Sequence, residues 1–128
     1  MNKVTLTARL LLGLMFFVFG LNNILHFLKM PPPEGDALTY VMLLSSHNIM
    51  TFVGLLMLIA GLLLLVGRFV PLALTILGPI LVNILLYHVF LWPHGIAPAL
   101  FATLLELFLL WAYRFNFRGL FAASPTLP

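Results

Sequence analysis

Phe69 to Trp92 read FVPLALTILGPILVNILLYHVFLW, an apolar run long enough to cross a bilayer that nonetheless carries Pro79, Asn83, Tyr87 and His88. Hydrocarbon cannot solvate an amide or an imidazole, so each of these groups needs a partner inside the protein, in a wet cavity or at the interface. What meets Asn83 and His88 is therefore the first functional question the chain raises.

The surrounding composition makes the membrane reading general. Of 128 residues, 63% are hydrophobic and 7% charged, a balance that a soluble domain of this size has no interior to hide. The formal charge of +3 comes from only six scattered Lys and Arg, which serve as topology signals and leave nucleic acid out of consideration as a partner. The sequence contains no cysteine, which removes disulfides, thiolate metal sites and dithiol redox relays. Any electron chemistry would need a bound organic cofactor or a metal with other ligands.

The basic, apolar N-terminus resembles a secretory signal, but no A-x-A-like cleavage site follows it, so it is expected to stay attached as a first span. Residues 8–28, 49–66, 69–92 and 96–113 give four spans near the roughly 20 residues that a crossing helix needs. The fold expected is an all-α membrane protein, a four-transmembrane-helix bundle in one domain over residues 1–128. Gly67-Arg68 is too short a link for anything but an antiparallel hairpin, and Pro71 suits the first turn of the helix that follows. Pro93-His94-Gly95 breaks the chain again, with Pro98 in the next first turn. Only residues 29–48 have room for structure of their own. After Pro31-Pro32-Pro33, the segment LTYVMLLSS reads either as a short helix along the membrane surface or as a plug over the bundle.

Lys3, Arg9, Arg68, Arg114 and Arg118 fall on one side of such a bundle and Lys29 alone on the other, which predicts both termini in the cytoplasm. Gly13 and Gly20 in the first span, and Gly54 and Gly61 in the second, are each two turns apart, so the two stripes are expected to face one another.

At about 1.5 Å per residue from the cytoplasmic ends, Asn22, Asn23, Thr51 and Asn83 all fall at roughly 20 to 23 Å and His26, His47 and His88 at roughly 27 to 29 Å. His94 lies in the connection just beyond. Glu106, the only acid within a span, falls roughly 11 Å up. Pro79 has no N–H for the Thr75 carbonyl at about that depth, where a cavity would open. Glu106 is accordingly a candidate proton carrier, or else a structural carboxyl bonded to a neighbouring span. Imidazoles suit zinc, copper or iron, but no two histidines stand at i, i+3 or i+4 within one span, and no metal is expected. Polar groups near span ends also serve as interhelical hydrogen-bond glue, which is the plain alternative for Asn22 and the histidines.

GLNNILHF at 20–27, PPPEG at 31–35, AGLLLLVGRFVPLAL at 60–74, PILVNILLYHVFL at 79–91 and LELFLLWAYRFNFRGLF at 105–121 together resemble the DoxX family, over nearly the whole chain. The resemblance implies a small prokaryotic four-helix protein of the plasma (inner) membrane, from a family named after a subunit linked to quinone reduction. It aligns Asn22, His26, Asn83, His88 and Glu106 with polar positions of those relatives. Two positions depart: many relatives resemble GLNK where Asn23 stands here, and many carry a Glu on the second span where Met57 stands. By depth count Met57 belongs near the Glu106 layer, roughly 14 Å up, so a carboxyl pair would be reduced to one acid.

The function expected is a quinone-linked component of a membrane oxidoreductase system that binds a quinone or other small hydrophobic ligand. Asn83 and His88 would meet its polar head from the outer leaflet, and Asn22 and His26 would complete the pocket. The rival is a non-catalytic assembly or partner-binding subunit, homo-oligomeric or docked to a redox protein, in which the same groups only set helix packing.

Overall fold

The computed structural model describes residues 2–128 and is all-helical, with no strand among the described residues. Five α-helices, α1 (Lys3–Leu25), α2 (Asp36–Ser46), α3 (Ile49–Val66), α4 (Val70–Phe90) and α5 (Ile96–Ala112), precede a 3-10 helix, Arg114–Phe121. By length and composition α1, α3 and α4 can each cross a membrane, and α5 makes a fourth candidate when taken with the 3-10 helix, from which it is bent by 81°.

The first expected span is displaced. α1 starts five residues before Ala8 because the Asn2 side chain accepts from the Thr5 N–H at 2.8 Å and caps the helix. It stops at Leu25, since His26 takes a left-handed conformation (φ 56°), so residues 26–28 are not part of the helix. The second expected span matches α3, and the third and fourth each lose one or two residues at their ends. Residues 36–46 form a helix with only Ala37 buried, so α2 is not a plug in the bundle.

α1 packs against α3 and α5, and α4 against the same two helices, which closes a four-membered ring. The buried residues of α1, including Thr5, Ala8, Leu12, Phe16 and Gly20, and those of α4, Val70, Ala73, Leu74, Leu77 and Leu81, follow the three- and four-residue steps of one helix face. Leu12, Leu64, Leu74, Leu77 and Leu109 are fully buried at the centre. The opposite faces leave large apolar side chains such as Leu14, Phe52, Leu72 and Leu104 more than half exposed, which fits helices solvated by lipid.

The expected glycine stripes do meet, and they set the closest helix approach. A Cβ on Gly20 would lie 2.6 Å from the Leu58 nitrogen and 2.7 Å from the Gly54 oxygen, and one on Gly61 would lie 2.5 Å from the Phe17 nitrogen. Gly13 faces Gly61 while Gly20 faces Gly54, so α1 and α3 run antiparallel. At the end of α3, Gly67 (φ 80°) closes the helix by donating its N–H to the Leu63 carbonyl at 2.9 Å. The Arg9 guanidinium lies directly against Gly67. A cation is favoured at that helix C-terminus by the dipole, which gives a reason for a buried arginine there.

Candidate functional site

The outer polar residues do not converge in the way their depths suggest. Asn22 is buried, but it spends its polar groups on the end of its own helix. Its backbone oxygen accepts from the His26 N–H at 2.8 Å, and its Oδ1 accepts from the Leu28 N–H at 2.8 Å. His26 is exposed in the turn that Asn22 ties down. Asn83 is also exposed and donates from Nδ2 to the Tyr40 hydroxyl of α2 at 3.1 Å. His88 Nδ1 lies 2.9 Å from the Trp92 oxygen, and the His88 ring meets Tyr87 edge-on at 5.0 Å. Asn22, Asn83 and His88 make their hydrogen bonds locally or to α2, and among the described residues none links the α1 pair to the α4 pair. Equal height along parallel axes says nothing about azimuth, and the depth layers alone do not bring these groups into contact.

Tyr40 is the residue that reading by depth missed. It holds α2 against α4 through Asn83 and through its ring, 5.7 Å from that of Tyr87. Its sequence signal was weak, a lone tyrosine in a short amphipathic segment.

Met57 lies against the first helix. Its sulfur accepts from Asn23 Nδ2 at 3.6 Å, and its Cβ lies 3.0 Å from where a Gly20 Cβ would sit. The two positions that depart from the DoxX-like pattern are thereby neighbours.

Among the described residues, Glu106 and the Nε of Arg9 hold the buried side-chain polar atoms with no hydrogen-bond partner, and Glu106, away from the α3–α4 turn that Arg9 meets, is the one inside the bundle's helix contacts. It falls on the buried stripe of α5 with Ala99, Ala102 and Leu109, is 3% exposed, and neither carboxyl oxygen has a hydrogen-bond partner. A buried polar group left unpaired costs about 1–3 kcal/mol, more if charged. Oε2 points at α4, 3.7 Å from where a Cβ on Gly78 would stand. A glycine there sets no side chain against the carboxyl, whose two oxygens are both closed off from solvent. Glu106 also borders a cavity of about 470 Å³ lined by Leu74, Thr75, Gly78, Leu110, Phe117 and Arg114 among others. The sequence expectation that a cavity opens beside Pro79 at the level of Thr75 and Glu106 agrees with this geometry.

Thr75 and Trp111, both exposed, mark the cavity's edge. The 3-10 helix forms its floor, and Arg114 donates from Nη1 to the Trp111 oxygen at 2.9 Å with its guanidinium carbon 4.6 Å from the Trp111 ring centroid. The lining is apolar except for the carboxyl, Thr75 and the Arg114 head. Its volume falls within the range of about 300–1,000 Å³ usual for small-ligand sites. No group of three or more metal-ligating side chains forms among the described residues.

Apolar helices of this length in a closed ring define a multi-pass α-helical membrane protein. The chain is 30% identical to the uncharacterized protein YwoB of Bacillus subtilis over an alignment of 133 positions, covering 97% of this chain and 86% of that protein, and it belongs to the same family. No protein-family model matches it, and no solved structure does.

Proposed function

We propose that this protein binds a small hydrophobic molecule of the quinone class in the cavity at Glu106, as a DoxX-like component of a membrane oxidoreductase system. One observation carries the reading: an inward carboxyl with both oxygens unpartnered stands on the wall of a roomy apolar cavity. The residues fit such a ligand, since a flat apolar ring suits Leu74, Leu110 and Phe117, and its polar oxygens suit the one carboxyl. A quinone, when bound, supplies acceptance of electrons together with protons. Glu106 holds or passes a proton at Oε2, facing Gly78. Leu110 and Phe117 exclude water from it, and the gap between Thr75 and Trp111 admits a molecule from the bilayer.

The site thus lies at the end of the bundle opposite Asn83 and His88, whose polar groups are already engaged. The contact between Asn23 and Met57 supports the DoxX-like reading. If relatives carry Lys and Glu at these two positions, the pair would form an ion pair, and losing both together strands no buried charge. In the arrangement proposed, α5 is a fourth span, both termini are cytoplasmic, and the membrane is the plasma membrane of a prokaryote. The five-to-one split of basic residues between the two ends supports this orientation.

Titrating the purified protein with a short-tailed quinone, alongside solvent extraction and a spectrum of what copurifies, tests the reading. Glu106→Leu is expected to weaken quinone binding about tenfold, the loss of one buried hydrogen bond to a polar head. Unchanged affinity in that variant, with no ligand copurifying, would favour the rival, an assembly subunit in which these polar groups only set packing.

A further inference from the structure

The 3-10 helix that floors the cavity has a second face. With three residues per turn, positions three apart are eclipsed, so Arg114, Phe117 and Leu120 share the face that lines the cavity. Phe115, Arg118 and Phe121 share the next, of which Phe121 also reaches the cavity lining. Phe115 is 65% and Phe121 85% exposed, and the Arg118 guanidinium carbon lies over the Phe115 ring, 5.5 Å from its centroid. The 81° bend after α5 lays this segment across the direction of the bundle helices. Rings with arginine heads held over them, transverse to an apolar helix end, have the chemistry of a water–bilayer boundary, where rings enter and cations stay at headgroup level.

Charge at this end of the bundle points the same way. Arg9 lies against Gly67, so the start of α1, the α3–α4 turn and the 3-10 helix share one end, which holds Lys3, Arg9, Arg68, Arg114 and Arg118. The chain's three acids lie elsewhere: Glu34 and Asp36 before or at the start of α2, and Glu106 buried in α5. No exposed Asp or Glu side chain lies at this end to neutralise the arginines.

We propose that Arg114–Phe121 docks on anionic phospholipid headgroups. Phe115 and Phe121 enter the headgroup boundary, and Arg118, helped by Arg114, pairs with lipid phosphate. Arginine suits this because its planar fork binds phosphate while its face stacks on a ring. Phe115 and Arg118 lie outside the cavity lining, so a test at these two residues is separate from what the Glu106 cavity holds.

Amide hydrogen exchange on the full-length chain tests this, in lipid nanodiscs of phosphatidylcholine alone and of phosphatidylcholine with phosphatidylglycerol. Exchange at residues 114–121 is expected to slow in the anionic discs, by about fivefold for each arginine engaged, and to speed up again at high salt. Arg118→Gln should lose about fivefold of that protection while Arg118→Lys keeps most of it, and Phe115→Ser should raise exchange in both lipids. Unaltered protection in α1, α3, α4 and α5 reports that each variant is folded. Equal exchange in the two discs, or full protection retained by Arg118→Gln, would overturn the proposal and leave the face to a protein partner or a second copy.

Discussion

A carboxyl with no partner is unusual in a helix that otherwise buries only Ala99, Ala102 and Leu109, because the same volume of leucine would pack without the penalty of an unpaired polar group. That cost argues for use. Gln at the same position keeps the shape and the hydrogen-bonding capacity but cannot ionise. Glu106→Gln is expected to fold and to bind a quinone-class ligand much as the parent does, and to lose reduction activity measured in membranes. Activity retained across the pH range would reduce Glu106 to a hydrogen-bond anchor. Asn22 illustrates the opposite case, a buried polar residue whose backbone and side-chain oxygens are both taken up by the turn at His26 and Leu28.

Pairing of α1 with α3 is where the fold is least tolerant. Lipid tails are as apolar as leucine, so helix association in a bilayer rests on close packing rather than on hydrophobic drive, and here backbone touches backbone at Gly20 and Gly61. Gly20→Ala puts a methyl group 2.6 Å from the Leu58 nitrogen and 2.7 Å from the Gly54 oxygen. Neither atom can rotate away. The expected cost is about 1–3 kcal/mol of overpacking, read as a lower thermal midpoint in detergent. Gly119→Ala, with nothing within 4 Å, is the matched control and should leave the midpoint nearly unchanged. Equal midpoints for the two variants would mean that α1 and α3 can separate without loss.

At the scale of the whole molecule, the two ends of the bundle differ. One holds the basic residues, the glycine-closed α3–α4 turn and the cavity; the other holds α2, tied to α4 by Tyr40 and Asn83, and the acids Glu34 and Asp36. C-terminal fusions probe which end faces the cytoplasm. A fluorescent reporter active only in the cytoplasm is expected to light up, and a phosphatase active only outside it to stay silent. Phosphatase activity would invert the orientation and, with it, the leaflet on which Arg114–Phe121 rests.

Several features are determined by the residues alone, because they follow from composition and local chain chemistry. Long apolar runs imply helices in lipid, since no other segment satisfies its own backbone there. Gly67-Arg68 is too short to do other than turn the chain back, and the two glycine stripes had only one kind of surface to fit. Pro79 marked the level at which α4 would open toward Glu106. Tertiary structure alone decided which polar groups meet. Asn22 shares a depth with Asn83, and His26 with His88, but the Leu28 N–H claims the Asn22 Oδ1, the Tyr40 hydroxyl accepts from Asn83 and the Trp92 oxygen meets His88 Nδ1. Met57 and Asn23 came together through the close approach of α1 and α3 at Gly20 and Gly54. Glu106 became the candidate site because Gly78 across from it supplies room and no partner, a relation between two helices that no periodicity within either one encodes.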